Sequence, residues 1–191
     1  LVPSAGSGSR AGTVMPKQYE FIAGQSMVMH TLAALQSVDR LEKIVVVVSP
    51  TDSHVWPEST VQRIQCGGAT RAESVFNGLS QLLADGVKNS EGVQSDDWIL
   101  VHDAARCLIT DFEINRLIDA CLDDEVGGLL ALPLPDTLKA AVNGRVSATL
   151  PRQDKWLAQT PQMFRAGALH AALKAQAADH FEGITDEASA M

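Results

Sequence analysis

Runs of β-branched and aliphatic residues alternate along the chain with stretches whose apolar positions recur at helical spacing. KIVVVVSP (43–50) is an uninterrupted apolar run, the pattern of a strand covered on both faces. WILVHDAA (98–105) is a second buried strand, GGLLALPLP (127–135) is strand-like, LVPSAG (1–6) reads as the end of another, and VQRIQCGG (61–68) is a shorter strand entering a glycine turn. Between them, SMVMHTLAALQSV (26–38) has helical spacing with Ser26 as N-cap. TRAESVFNGLSQLLADG (70–86) predicts an amphipathic helix closed by Gly86. TDFEINRLIDACLDD (110–124) opens with Thr110 and Glu113 in the spacing of a capping box. Strand–helix alternation predicts an α/β fold with a mainly parallel, helix-covered sheet. DTLKAAVNGRVSATLPR (136–152) departs from it: Asn143-Gly144 is a hairpin signal. Such an insertion is either decoration or an arm that dimerises or reaches into a site. Residues 87–97 read as a solvated loop.

The chain has 191 residues, enough for one well-buried core and short for two, so residues 1–191 are expected to form a single domain. A net charge of −8 argues against a nucleic-acid binder but leaves room for a small anionic substrate, because local charge can oppose the global sign. Cys66, Cys107 and Cys121 are widely spaced, odd in number and without metal-binding spacing; they are expected to be reduced and mostly buried. No apolar run reaches the roughly 20 residues of a membrane span. The first residues lack the layout of a secretory signal. A cytoplasmic protein with no membrane partner is the expectation.

Chemistry enters with GSGSRAG (6–12) and the Pro16-Lys17 pair that follows. Gly6, Gly8 and Ala11 satisfy the dinucleotide fingerprint, but that motif wants an acid after the second strand, where Ser49-Pro50 stands and Asp52 is a weak substitute. A Walker A loop needs GKS or GKT, which is absent. A nucleotidyl-transfer loop fits otherwise: glycines let backbone N–H groups wrap a triphosphate while Arg10 and Lys17 neutralise charge at the attacked phosphorus. The bland alternative is a flexible turn with solvated charges. GGATRAESV (67–75) sets two glycines before a helix, with Arg71 and Ser74 in its first turn, where free N–H donors point outward. VHDAAR (101–106) places Asp103 at the carboxyl end of a buried strand, where an acid needs a cation, a hydroxyl or a helix N-terminus. All three stretches fall at strand ends on one predicted edge.

Taken in order, PSAGSGSRAGTVMPKQY, GGATRAESV, VHDAAR, PDTLK, LAQTPQMF and ITDEASAM resemble the 2-C-methyl-D-erythritol 4-phosphate cytidylyltransferase family of the non-mevalonate isoprenoid pathway, over nearly the whole chain. The resemblance implies a Rossmann-like nucleotidyltransferase domain with a protruding β-arm, near 136–152, that builds a homodimer. It implies transfer of CMP from CTP to 2-C-methyl-D-erythritol 4-phosphate with release of pyrophosphate, assisted by Mg²⁺. By resemblance, Arg10 and Lys17 match the catalytic cations. Ser4, Ala5, Gly6 and Gly8 match the CTP loop, and Gly67, Gly68 and Ser74 the turn that reads cytosine. Asp103 matches the acid near CTP, metal and acceptor. Arg106, Thr137, Arg152 and Thr185 match positions around the acceptor, Thr137 reaching it from the neighbouring subunit.

The chain also departs from the family. Ser4 replaces the usual alanine of PAAG, Ala11 replaces a methionine, and Cys107 follows Arg106 where a proline is usual. TDEASA is expected to begin a helix, after which the family continues for roughly another helix and strand, with an Asn-Ile-Lys-Val stretch, within its ~100–200-residue domain. The end is therefore expected to be truncated or unresolved. The rivals are a cytidylyltransferase for another polyol phosphate such as ribitol 5-phosphate, a non-catalytic nucleotide-binding module, and a Rossmann dehydrogenase. The five histidines and Trp56, Trp98 and Trp156 are read as structural.

Overall fold

The computed structural model describes residues 1–6, 15–54, 56, 61–88 and 92–191, the Lys88 side chain excepted. Its elements follow the predicted alternation. Strand β1 (Val2–Pro3) leads into a 3-10 turn (Lys17–Tyr19), a small hairpin of β2 (Phe21–Ile22) and β3 (Gln25–Ser26), and helix α1 (Met27–Gln36). Then come β4 (Val45–Val47), β5 (Gln62–Ile64), α2 (Arg71–Lys88), β6 (Trp98–Val101), α3 (Asp111–Cys121) and β7 (Gly127–Pro133). β8 (Leu138–Val142), β9 (Arg145–Leu150), β10 (Trp156–Arg165) and α4 (Ala166–Gln176) complete the order.

β1, β4 and β5 form a parallel sheet in the order β1-β4-β5. β6, β10 and β7 form a second sheet in which β10 runs antiparallel to both neighbours. Two bonds join the sheets: the Leu1 amino group donates to Leu100 O at 2.7 Å, and His102 N–H donates to Leu1 O at 3.0 Å. That spacing is a parallel pairing of β1 with β6. The combined order is β5-β4-β1-β6-β10-β7, with β10 alone reversed. Its reversal follows from its connection. β10 enters from a hairpin rather than from a crossover helix, and parallel pairing needs a crossover.

Alternation along the strands sorts the core to two faces. Val46, Val48 and Leu100 pack with Leu32 of α1 and Leu117 of α3. Ile99 and Val101 point the other way, to Val75 and Leu79 of α2 and Leu169 and Leu173 of α4. This is a three-layer α/β arrangement. Gly78 lets α2 approach β4, since a Cβ there would lie 2.6 Å from Val47 Cγ2.

Thr110 forms the expected capping box with Glu113. Ser26 occupies the N-cap of α1, but its side chain makes no cap bond. Gly86 does not close α2, which continues to Lys88. Its missing Cβ serves close approach instead, because one would meet Val93 O at 1.9 Å. Val93 packs against the core, so 87–97 is not wholly solvated. Among the described residues β8 and β9 pair only with each other, and Asn143 and Gly144 take positive φ of 50° and 75° as the tight turn requires. All of β9 is exposed. Residues 186–191 form a hydrogen-bonded turn rather than a helix: Asp186 Oδ1 accepts from Ser189 N–H, and Glu187 O accepts from Met191 N–H. Trp98 packs on the core, whereas Trp156 is 63% exposed. Of the three free cysteines only Cys121 is buried.

Candidate active site

The carboxyl ends of β1, β5 and β6 open onto one cleft of about 740 Å³. Ligands bind at this edge in open α/β sheets. Ser4, Ala5 and Gly6 follow β1 into it, Lys17 reaches it from the 3-10 turn, Gly68 and Ser74 from the start of α2, Asp103 from the end of β6 and Thr185 from the final segment. Eight expected residues thus converge. Gly8 and Arg10 lie outside the described residues. Gly67 does not line the cleft. It is a packing glycine, whose Cβ would stand 2.1 Å from Ala5 Cβ and 2.9 Å from Val48 O. Arg106 lies beside the cleft, on a neighbouring apolar groove of about 860 Å³. Thr137 and Arg152 are exposed at the base of the β8–β9 hairpin, where the Arg152 guanidinium donates to Pro135 O.

Lys17 is exposed, and no carboxylate lies within ion-pair distance of it among the described residues. Its neighbour Gln18 is buried and donates to Ser4 O at 3.0 Å and Gly6 O at 2.9 Å, clamping the entrance of the glycine-rich segment. Tyr19 donates to Asp52 at 2.7 Å, Trp56 donates to the same carboxylate at 3.0 Å, and His54 stacks on Tyr19 at 4.1 Å. Burial, then Asp52, push the Tyr19 pKa up, so the phenol stays protonated. Asp52 therefore serves the turn that carries Lys17 and not a ribose.

At the start of α2, Thr70 Oγ1 accepts from Glu73 N–H, the bond of an N-cap to its third residue. Ser74 Oγ accepts from Gly68 N–H at 3.1 Å and donates to Thr70 O at 2.8 Å, which fixes the turn against the helix N-terminus. Ala69 N–H donates to Glu73 Oε2 at 2.6 Å, and the positive end of the helix dipole lies at the cleft here.

Asp103 is held on both oxygens. Arg71 Nε donates to Oδ1 at 2.7 Å and Arg106 Nε to Oδ2 at 2.9 Å. Burial opposes its charge, yet Arg71 and Arg106 keep its pKa below the usual carboxylate value. Its backbone N–H donates to Thr160 Oγ1. His102 Nε2 lies 3.1 Å from Arg106 O, which can only accept, so Nε2 carries the proton and Thr160 Oγ donates to Nδ1 at 3.0 Å. Burial lowers the His102 pKa to about 4, so it is a neutral structural residue, as expected.

Sequence reasoning missed what QTPQ does. Gln159 accepts from Arg106 at 2.6 Å, Thr160 pins the 102–103 backbone, and Gln162 donates to Asp186 and accepts from Ala188 N–H. It missed Glu187 too, a buried acid paired with Arg71. The QTPQ and TDEAS blocks were visible as motifs, but periodicity carries no sign of their contacts.

Among the described residues no three His, Cys, Asp or Glu side chains gather as a metal site. Asp103 still fits Mg²⁺, which commonly takes one or two carboxylates and completes its shell with substrate phosphates and water. A carboxylate has about four lone-pair positions, of which the two arginines use two. No helix among the described residues is long and apolar enough to cross a membrane.

Comparison with known proteins agrees with this geometry. The chain is 54% identical over 195 residues to the bifunctional enzyme IspD/IspF of Albidiferax ferrireducens, covering all of this chain and 44% of that protein. It thus spans less than half of that relative. It is 50% identical over 198 residues to the 2-C-methyl-D-erythritol 4-phosphate cytidylyltransferase of Chromobacterium violaceum, covering all of this chain and 82% of the relative. A crystal structure of a 4-diphosphocytidyl-2C-methyl-D-erythritol synthase superposes with a TM-score of 0.83 at 41% identity, covering all of this chain and 82% of that one. The family model for 2-C-methyl-D-erythritol 4-phosphate cytidylyltransferase matches residues 1–191, from the strand that opens the cleft to the turn that carries Glu187, and the chain belongs to that family of CTP-dependent nucleotidyltransferases.

Proposed function

We propose that the cleft transfers CMP from CTP to 2-C-methyl-D-erythritol 4-phosphate, giving 4-diphosphocytidyl-2-C-methyl-D-erythritol and pyrophosphate. The observation that carries this is the convergence of the glycine-rich entrance, Lys17, the Ser74-fixed turn and Asp103 on one cleft at the strand ends. An acceptor phosphate oxygen attacks the α-phosphorus of CTP in line, and the bond to pyrophosphate breaks. The nucleophile is already an anion at neutral pH, so no strong general base is needed. The difficulty is to bring two anions together and to stabilise charge on the crowded phosphorus.

Lys17 and Arg10 are the cations assigned to that charge. Ser4, Ala5, Gly6 and Gly8 bring backbone N–H groups to the phosphates. Gly68 and Ser74 shape the turn that reads the base, and Gly67 supports it from behind. Asp103, Arg106 and Thr185 face the acceptor. Thr137 and Arg152 are assigned to the acceptor through a homodimer formed by the β8–β9 hairpin. Neither lines the cleft of its own chain, which supports a role in trans. Mg²⁺, when bound by the triphosphate and Asp103, supplies charge neutralisation at the phosphates. Residues 1–191 act as one cytidylyltransferase unit, in the cytoplasm.

The test is pyrophosphate release with CTP and Mg²⁺, comparing methylerythritol phosphate with ribitol phosphate, for wild type and Lys17→Ala. Release with the first acceptor alone is expected. Lys17→Ala is expected to lose roughly 10²–10³-fold in kcat, the cost of removing one preorganised donor, with a smaller loss of CTP affinity. Release with ribitol phosphate alone would transfer the cleft to the rival acceptor, which the names of the relatives do not favour. Full turnover by Lys17→Ala would remove the assigned role of that residue.

A further inference from the structure

Glu187 is 1% exposed, a carboxylate almost wholly removed from water. It meets a two-pronged pair: Arg71 Nη1 donates to Oε1 at 2.6 Å and Nη2 to Oε2 at 3.0 Å. The third edge of the same guanidinium, Nε, meets Asp103. Asp103 passes the constraint to Arg106, and Arg106 Nη1 ends on Gln159 at 2.6 Å. Burial opposes the Arg71 charge, but Glu187 foremost and then Asp103 raise its pKa. This cation is neutralised on both sides and does not serve as a free phosphate binder.

We propose that Glu187 and Arg71 are positioning residues for the cytidylyl-transfer reaction: they set the orientation of the Asp103 carboxylate at the cleft. The inference rests on the reading that Asp103 faces the acceptor. The planar guanidinium has three N–H directions fixed by two carboxylates, so Arg71 cannot turn without breaking the pair to Glu187. Asp103, whose side chain is 29% exposed, has room to change rotamer if released. The pairing joins the first residue of α2, the end of β6 and the final segment, three parts of the chain that no local pattern relates. A lysine would not replace Arg71, because a point charge lacks the planar fork.

A merely structural ion pair predicts a different outcome from a positioning one, and three variants separate them. Glu187→Gln and Arg71→Lys keep size but break the fork. Arg71→Met with Glu187→Met replaces the pair by apolar chains of similar length, a change that commonly preserves or raises stability. Steady-state kinetics, CTP affinity by calorimetry and thermal unfolding are measured on each beside wild type. The expected result is a fall in kcat of about 10²-fold in all three, the scale of a misplaced reacting geometry, with the CTP Kd changed less than about threefold. In the double variant the loss persists although the melting temperature is kept. Wild-type kcat in a folded double variant would overturn the proposal. So would losses in the single variants that merely track their folded fraction. A wild-type chain silent with either acceptor would overturn the functional reading, and this inference with it; an active wild type with unaffected variants would overturn this inference alone.

Discussion

Replacing Gly67 by alanine tests whether this glycine reads the base or only permits a close approach. Its backbone needs no positive φ, so the effect is steric alone. The new methyl would stand 2.1 Å from Ala5 Cβ, 2.9 Å from Val48 O and 3.1 Å from Val48 C. Carbon atoms in contact prefer about 3.5–4.0 Å, so the turn before α2 and the segment after β1 must part by roughly 1.5 Å. Neither can yield easily. Gly67 N–H donates to Val48 O at 2.9 Å, and Gln18 holds the carbonyls on both sides of Ala5. Overpacking of this kind costs about 1–3 kcal/mol. At a few degrees per kcal/mol for a chain of this size, the melting temperature should fall by roughly 2–12 °C. The displaced Ala5 begins the glycine-rich segment, so the KM for CTP should rise with it.

The decisive measurement is the rescue. Ala5→Gly alone should cost about 0.4–1 kcal/mol through the greater freedom of the unfolded chain. In the Gly67→Ala background it removes the partner of the worst clash. The double variant should therefore be more stable than Gly67→Ala alone, with a coupling of about 0.5–3 kcal/mol between the two sites. Recovery should be incomplete, because the Val48 contacts remain. Urea unfolding of the four proteins reads the cycle directly. If Gly67→Ala matches wild type, or if Ala5→Gly and Gly67→Ala add without coupling, the close-approach reasoning fails. A rise in CTP KM without any loss of stability would return Gly67 to the role of a base reader.

Two further substitutions probe the support of the cleft and its independence from the rest of the fold. Gln18→Leu removes both bonds that hold the entrance of the glycine-rich segment and leaves the buried Ser4 carbonyl unpaired; it should cost about 1–3 kcal/mol in urea unfolding and raise the CTP KM, and unchanged values of both would show that the clamp is idle. Thr110→Ala breaks the capping box of α3, away from the cleft, and should cost about 1 kcal/mol with kcat and KM unchanged; a loss of activity at full folding would reveal a link from α3 to the site that the structure does not contain.

Local signals carried most of the layers. The valine run of β4, the capping box of α3 and the Asn143-Gly144 turn each state their geometry within a few residues, and each is found where it was read. β10 was not legible in that way. Its pairing depends on partners 23–37 residues away in β7 and 61–67 away in β6, and its reversal depends on how the chain arrives, which period-2 alternation does not encode. Gly86 shows the same limit. A glycine late in a helical pattern reads as a stop, but here the reason for it is Val93 folding back over the helix. The cleft was legible as residue types at strand ends. Its wiring was not, because an Arg–Glu pair separated by 116 positions leaves no periodic trace.

That wiring changes how charge in the cleft is to be counted. From the sequence, Arg71 and Arg106 look like two more cations beside an anionic substrate. In the structure they and the two acids Asp103 and Glu187 form a set of zero net charge. An arginine tied to two carboxylates attracts a triphosphate weakly, since the field of each cation is cancelled within a few ångströms by its partner. Attraction among the described residues is left to Lys17, which has no carboxylate within ion-pair distance among them, and to the N-terminus of α2, whose dipole end lines the same cleft. In a protein of net charge −8, a small local excess of positive charge is what can draw an anion to this edge of the sheet. The two kinds of cation therefore divide the work by whether they are paired. Lys17 and the helix end meet phosphate charge, and the paired arginines fix the geometry of the acid.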